Sequence, residues 1–281
     1  MPAPTYDDIW QYARQVQAVS QEARNAFILA TRNLDFDDWA NAAEQLRNII
    51  TEIVDYYGLA TSELGAQWYE YCRALGVGGE FSAIVEPPNV AIVKSAANAE
   101  IDKLFNGTAD TEKVVSLLQD VVMDQVTRQA RDTIVRNLGM ETAVDNVGYA
   151  RVPVGDTCAF CIMLASRGFV YPSKKVAERS KTGEKYHPNC NCVAVPFHKA
   201  ETIPGYADEL RKYEQMYFDA DNLRRSGEMP KELKERIQEA KKRHNEKYEQ
   251  YVKDGIGDTR ERWKAYNEIT MIMRWQNEGL H

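Results

Sequence analysis

Four of the chain's five cysteines and two of its four histidines fall in one stretch, Gly155 to His198, GDTCAFCIMLASRGFVYPSKKVAERSKTGEKYHPNCNCVAVPFH. The order is Cys158-x2-Cys161, then His187-x2-Cys190-x-Cys192. A C-x-x-C pair sets two sulfurs on one tight knuckle at about the separation a tetrahedral ion requires, and a second cluster further on closes the shell. Five candidates compete for four places. One arrangement is Cys158, Cys161 and His187 with one of Cys190 and Cys192; the other is the four cysteines with His187 outside. A closed shell of sulfur and nitrogen makes the ion structural, so the expected cofactor is a zinc that staples a segment too poor in apolar residues to fold alone. The competing reading is disulfide-paired or unliganded cysteines.

Composition enters where it bears on that choice. The opening MPAPTYDDIWQYARQ lacks a charged leader ahead of an apolar run, and no window approaches the ~18 uninterrupted apolar residues that span a bilayer. A reducing cytoplasm is the expected setting, and there clustered cysteines hold metal more often than they form disulfides. A formal net charge of -7 argues against a generic nucleic-acid coat, which is basic so as to neutralise phosphates. With 44% apolar and 27% charged residues the chain can bury a core and still present wide solvated helix faces.

Periodicity predicts helices on both sides of the cysteines. In the first, Ile9, Ala13, Val16, Val19, Ala23, Phe27 and Ala30 form one stripe. A second, capped by Asp35 or Asp37, carries Trp39, Ala42, Leu46, Ile49, Ile50 and Ile53 and stops at Tyr57-Gly58; a third starts near Thr61-Ser62 and carries Leu64, Trp68, Tyr71, Cys72 and Leu75. The aromatics and Cys72 at this spacing read as core. GGEFSAIVEPPN, with paired glycines and paired prolines, marks a loop or an inter-domain connection. Helices resume over Val90 to Phe105 and after the cap Asp110. The segment VGYARVPVG reads as an edge or terminal strand because it contains Pro153.

Beyond Pro204 three charged helices are expected. The middle one has so few apolar positions, Leu233, Ile237, Ala240, Tyr248 and Tyr251, that it bridges solvent or packs on a neighbour. Its KKRHNEK cluster, interleaved with glutamates, reads as a solvated face. The chain therefore divides into a helical hairpin region (1–77), a linker and helical region (78–143), the Cys/His segment (144–200) and a charged helical extension (201–281). The expected fold is mostly α with a small α+β metal-stapled segment. Catalysis finds little support in the residues. A redox C-x-x-C does not need the second cluster, and an Asp156, Ser166 and His187 or His198 triad is matched by chance among many such combinations.

TCAFCIMLASRG followed by YHPNCNCVAVP resembles the C-terminal motif of the phage Mu F-like minor head proteins: a C-x-x-C, a variable insert, H-P-x-C-x-C and a short strand. The run Leu164 to Gly168 is similar to versions found in phages of actinobacteria, and the resemblance covers about Val144 to Phe197. It implies a virion protein present in few copies, in the head interior or at the portal vertex, and in the host cytoplasm during assembly. The implied partners are the portal protein and/or the major capsid protein, with packaged DNA in addition and no membrane. The implied role is head assembly, or the handling of DNA at packaging and ejection, without established catalysis. The alternative is a capsid maturation protease or a zinc-supported nuclease. A nuclease would need a second metal site, near which His198 is the spare histidine.

Overall fold

In the computed structural model, which describes residues 3–141, 147–155, 157–166, 171–172, 190–198, 202–253 and 263–277, helix α1 spans Tyr6–Thr31. Its start is a capping box: the Asp8 amide donates to Thr5 Oγ1 at 3.2 Å and the Thr5 amide donates to Asp8 Oδ2 at 2.8 Å, satisfying two otherwise orphaned donors. The buried face runs Ile9, Tyr12, Val16, Ser20, Ala23, Phe27 and Thr31. Ser20 and Thr31 hold places the pattern assigned to Val19 and Ala30. Each hydroxyl is paired, Ser20 with Thr127 Oγ1 at 2.7 Å and Thr31 with the Phe27 carbonyl at 2.9 Å, so neither is a buried orphan.

The expected break at Gly58 does not occur. Trp39–Gly76 is one helix of 38 residues, α2, capped by Asp38 rather than Asp35 or Asp37, with Asp38 Oδ1 accepting from the Asn41 amide at 3.3 Å. Its glycines serve packing. A Cβ on Gly58 would lie 2.9 Å from Pro88 Cγ, and one on Gly65 would lie 2.5 Å from the Ala130 carbonyl oxygen. Each glycine forfeits about 1 kcal/mol of helix propensity and in return lets helix α4 (Thr111–Met140) approach α2 closely. Thr61 and Ser62, which read as a helix start, belong to the same contact. Their hydroxyls donate to the Val126 and Glu86 carbonyls, both at 2.6 Å. Tyr71, expected in the core, is exposed, while its neighbour Tyr69 is fully buried.

Helix α3 (Val90–Phe105) is capped by Asn89, and α4 by Asp110, which accepts from the Lys113 amide at 2.8 Å. Phe27, Leu46, Ile50, Ile101, Leu118 and Val122 fill a core shared by α1 to α4, each contributing roughly 1.5 to 3 kcal/mol by burial. The glycine- and proline-rich segment after α2 is a loop that lies along the helices as a strap. Asn137 on α4 accepts from the Ile84 amide and donates to the Ile84 carbonyl, both at 2.8 Å. The Glu86 amide donates to Thr133 Oγ1, and the Ala83 amide to Glu70 Oε1. At the α4 terminus Glu141 forms a buried ion pair with Arg73 at 2.7 Å.

Three antiparallel strands follow: β1 (Val147–Pro153), β2 (Tyr171–Pro172) and β3 (Cys192–His198), in the order β2-β1-β3. β1 is thus central, not an edge. Pro153 is tolerated because β2 reaches only Gly148 and Tyr149, so at the proline the strand pairs with β3 alone. Helix α5 (Ala159–Ala165) follows β1. Helices α6 (Ala207–Ser226), α7 (Lys231–Lys253) and α8 (Ala265–Gln276) complete the described chain.

α8 packs on α5 and α6, and α7 packs on α8. Tyr213, Leu233, Ile237, Ile272 and Met273 enter the same apolar core as β1, β3 and α5. Among its described side chains α7 buries Leu233 and Ile237, and its basic cluster is held in exposed pairs such as Lys242 with Glu246 and Arg243 with Glu239. No helix among the described residues is long and apolar enough to cross a membrane.

Candidate metal centre

The register of β1 on β3 sets the position of the cysteines. Pro153 lies opposite Cys192, so the end of one strand and the start of the other meet at the same side of the sheet. Gly155, at φ 69°, turns the chain out of β1 in a left-handed conformation that is cheap only for glycine. Thr157 Oγ1 donates to its carbonyl at 2.9 Å. Cys158 then caps α5, its Sγ accepting from the Cys161 amide at 3.4 Å. The cap bond fixes the C-x-x-C knuckle, and α5 carries Cys161 inward among Ala159, Ile162 and Leu164, all buried.

The second pair arrives with β3, Cys190 just ahead of the strand and Cys192 as its first residue. Cys161 Sγ and Cys190 Sγ are 3.4 Å apart, and the sulfurs of Cys161, Cys190 and Cys192 all lie within 4.8 Å of one another. These three are buried, and half-buried Cys158 packs against them. All five cysteines of the chain are thiols, not disulfides; a disulfide would need sulfurs about 2 Å apart. Sulfurs bound to zinc at ~2.3 Å lie about 3.8 Å from each other in a tetrahedron, and the 3.4 Å between Cys161 and Cys190 is close to that. The cluster could hold a metal ion. His187 lies outside the described residues, so of the two sequence-level arrangements only the four-sulfur one has all its members described.

As thiols the cysteines crowd one another. Hydrogen bonding to Cys158, then to Cys190 and Cys192, together with burial pushes the Cys161 thiol far above its ordinary range. Its bond to Cys161 pulls Cys192 down, but Cys190 and burial raise it on balance. Ionising such a group requires positive charge close by. Two guanidiniums supply part of it: Arg151, fully buried on β1, donates Nη2 to Cys190 Sγ at 3.8 Å, and Arg131 of α4 donates to the Cys190 carbonyl. A divalent ion is the remaining source the donor set fits.

Reading the sequence named the cysteines and missed both arginines. The signal was an arginine set among the apolar residues of GYARVPV and another beside Ala130 in the α4 stripe, positions where a cation is retained only if an acceptor waits inside.

His198 takes no part in the cluster. It ends β3, roughly 20 Å along the strand from Cys192, with its ring edge-on to Tyr69 at 5.8 Å and 1% exposed. Neither ring nitrogen has a hydrogen-bond partner among the described residues, and burial lowers its pKa to about 4. Ser166 Oγ donates to the Met163 carbonyl of its own helix, and Asp156 lies outside the described residues. Cys72 is buried in the core, where burial raises its thiol.

Residues 3–220 match the family model described as VG15 protein. The chain belongs to the VG15 family. All four clustered cysteines fall inside the VG15 match, which ends within α6. The chain is 33% identical to the Gene 15 protein of Mycobacterium phage D29 over 26% of its own length and 36% of that protein. It is 29% identical to the Gene 15 protein of Mycobacterium phage L5 over 27% and 37% respectively. It therefore spans a little over a third of the length of these curated, phage-encoded relatives. No solved structure matches it.

Proposed function

We propose that this VG15 chain is a minor head protein of a phage particle, of the Mu F-like kind, pinned by a structural zinc at Cys158, Cys161, Cys190 and Cys192. The observation that carries the reading is the buried sulfur cluster at the junction of β1, α5 and β3. It is formed by the same C-x-x-C and C-x-C on which the resemblance to Mu F-like proteins rests. When bound, zinc supplies a fourfold tether; a closed sulfur shell leaves no position for a reactive water, which makes the role structural.

The phage origin of the relatives supports a virion location, in the head interior or at the portal vertex. There the chain acts in head assembly, in DNA packaging and ejection, or in both, through the portal protein and/or the major capsid protein. Exposed Leu29, Tyr56, Leu59, Phe105 and Phe218 offer apolar surface for such subunits.

Co-expression with the cognate portal and major capsid proteins, followed by purification and incubation with each protein and with DNA, tests the reading. The expected outcome is co-purification with portal or capsid subunits and no cleavage. Cleavage of capsid protein or DNA that disappears in Cys161→Ser would replace it with the maturation protease or zinc-supported nuclease.

A further inference from the structure

Beside the sulfur cluster, between α1 and α4, is a cavity of about 330 Å³. Trp10 and Val16 of α1 and Val154 after β1 give it apolar walls; among the described residues its charged lining is Arg14, Arg131 and Asp124, and Cys190 and Cys192 line it as well. The balance of charge is positive.

Tyr12 also lines this space. Its ring stacks on Trp68, centroids 4.7 Å apart and 10° from parallel, and the residue is 7% exposed. Its hydroxyl is buried without a hydrogen-bond partner among the described residues. Burial raises the phenol, and the charge of Arg131, which lines the same cavity, is the main influence opposing that rise. A buried donor left unmade carries a desolvation penalty that a ligand acceptor would relieve. The fold thus fixes an idle donor and two cations around a space with apolar walls.

We propose that this cavity is a binding site for a carboxylate carried on a compact apolar body. The carboxylate accepts from the Tyr12 hydroxyl within the field of Arg131 and Arg14, and the apolar body lies against Trp10, Val16 and Val154. Because Arg131 also donates to the Cys190 carbonyl, occupancy reaches the sulfur cluster through one side chain. The carboxylate is either a free small molecule or the end of a polypeptide. The site does not depend on the minor head reading.

Calorimetric titration of the full chain with benzoate, N-acetylphenylalanine and the amide of each tests it. At least one carboxylate should bind with a Kd of about 1 mM or tighter and at least tenfold tighter than its amide. Tighter benzoate identifies a free ligand, and tighter N-acetylphenylalanine a chain end. Tyr12→Phe keeps the ring stack; it should weaken binding about tenfold and leave the melting temperature unchanged or raised. Arg14→Gln should weaken binding as well. Equal binding of acid and amide, undiminished affinity in Tyr12→Phe, a lower melting temperature in that variant, or no binding of either acid overturns the proposal.

Discussion

Cys161 and Cys190 stand 29 residues apart in the chain and hold their sulfurs 3.4 Å apart. One sits a turn inside a short helix, the other just ahead of a strand, and the pairing of Pro153 with Cys192 brings the two elements to the same place. α6 and α8 pack on α5, the helix that carries Cys161 into that junction.

The contact of α2 with α4 depends on the absence of a side chain at Gly65. Gly65→Ala gains about 1 kcal/mol of helix propensity, but its Cβ meets backbone atoms of Ala130 at 2.5 to 3.1 Å, and overpacking of that kind costs about 1 to 3 kcal/mol. Net destabilisation is expected in urea unfolding. Gly58→Ala meets side-chain atoms of Pro88 and Gln129 at 2.9 and 3.0 Å; no backbone of α4 is in the way, so a smaller destabilisation than at Gly65 is expected there.

Asn137 does for the strap what a neighbouring strand would do, bonding both the amide and the carbonyl of Ile84. Asn137→Ala leaves both without that partner, at a cost of about 1 to 3 kcal/mol. Hydrogen exchange at the Ile84 amide should accelerate markedly, while exchange in the core shared by Leu46, Ile101 and Leu118 stays slow.

His198 gives the protein an acid-sensitive point. Its folded pKa of about 4 lies below the ordinary 6.5. Above pH 6.5 the ring is neutral in both states and imposes no pH dependence. As pH falls from there toward 4, the unfolded chain takes up a proton that the fold refuses, and stability drops. The loss is on the order of 2 to 3 kcal/mol. Denaturant midpoints measured across that window should fall for the native chain and flatten in His198→Leu, which also removes two ring nitrogens without a hydrogen-bond partner among the described residues.

The sequence made the helical character of this chain legible and left its joints harder to read. α3, over Val90–Phe105, and the start of α4 lie where caps and periodicity place them, because signals such as Asp110 act locally. α2 was misread at Gly58 and Thr61 because their meaning lies in partners, Pro88, Gln129 and Val126, that are distant in the chain. Pro153 reads as the mark of an edge or terminal strand, whereas a central strand with one short neighbour accommodates it just as well. The cysteines announced themselves by spacing. Arg151 and Arg131 did not, since a buried cation is recognised only once its acceptor, here Cys190, is in place.

The most direct test of the staple is the zinc content of the purified full chain, read together with unfolding of the native protein and Cys161→Ser. About one zinc per chain is expected, with apparent binding that accounts for a large part of folding in this segment. Cys161→Ser should lose the metal and melt the core around β1, β3 and α5 while the core shared by α1 to α4 survives. A metal-free native chain that folds as stably as the serine variant, with Cys158, Cys161, Cys190 and Cys192 present as thiols or as disulfides, would contradict the account.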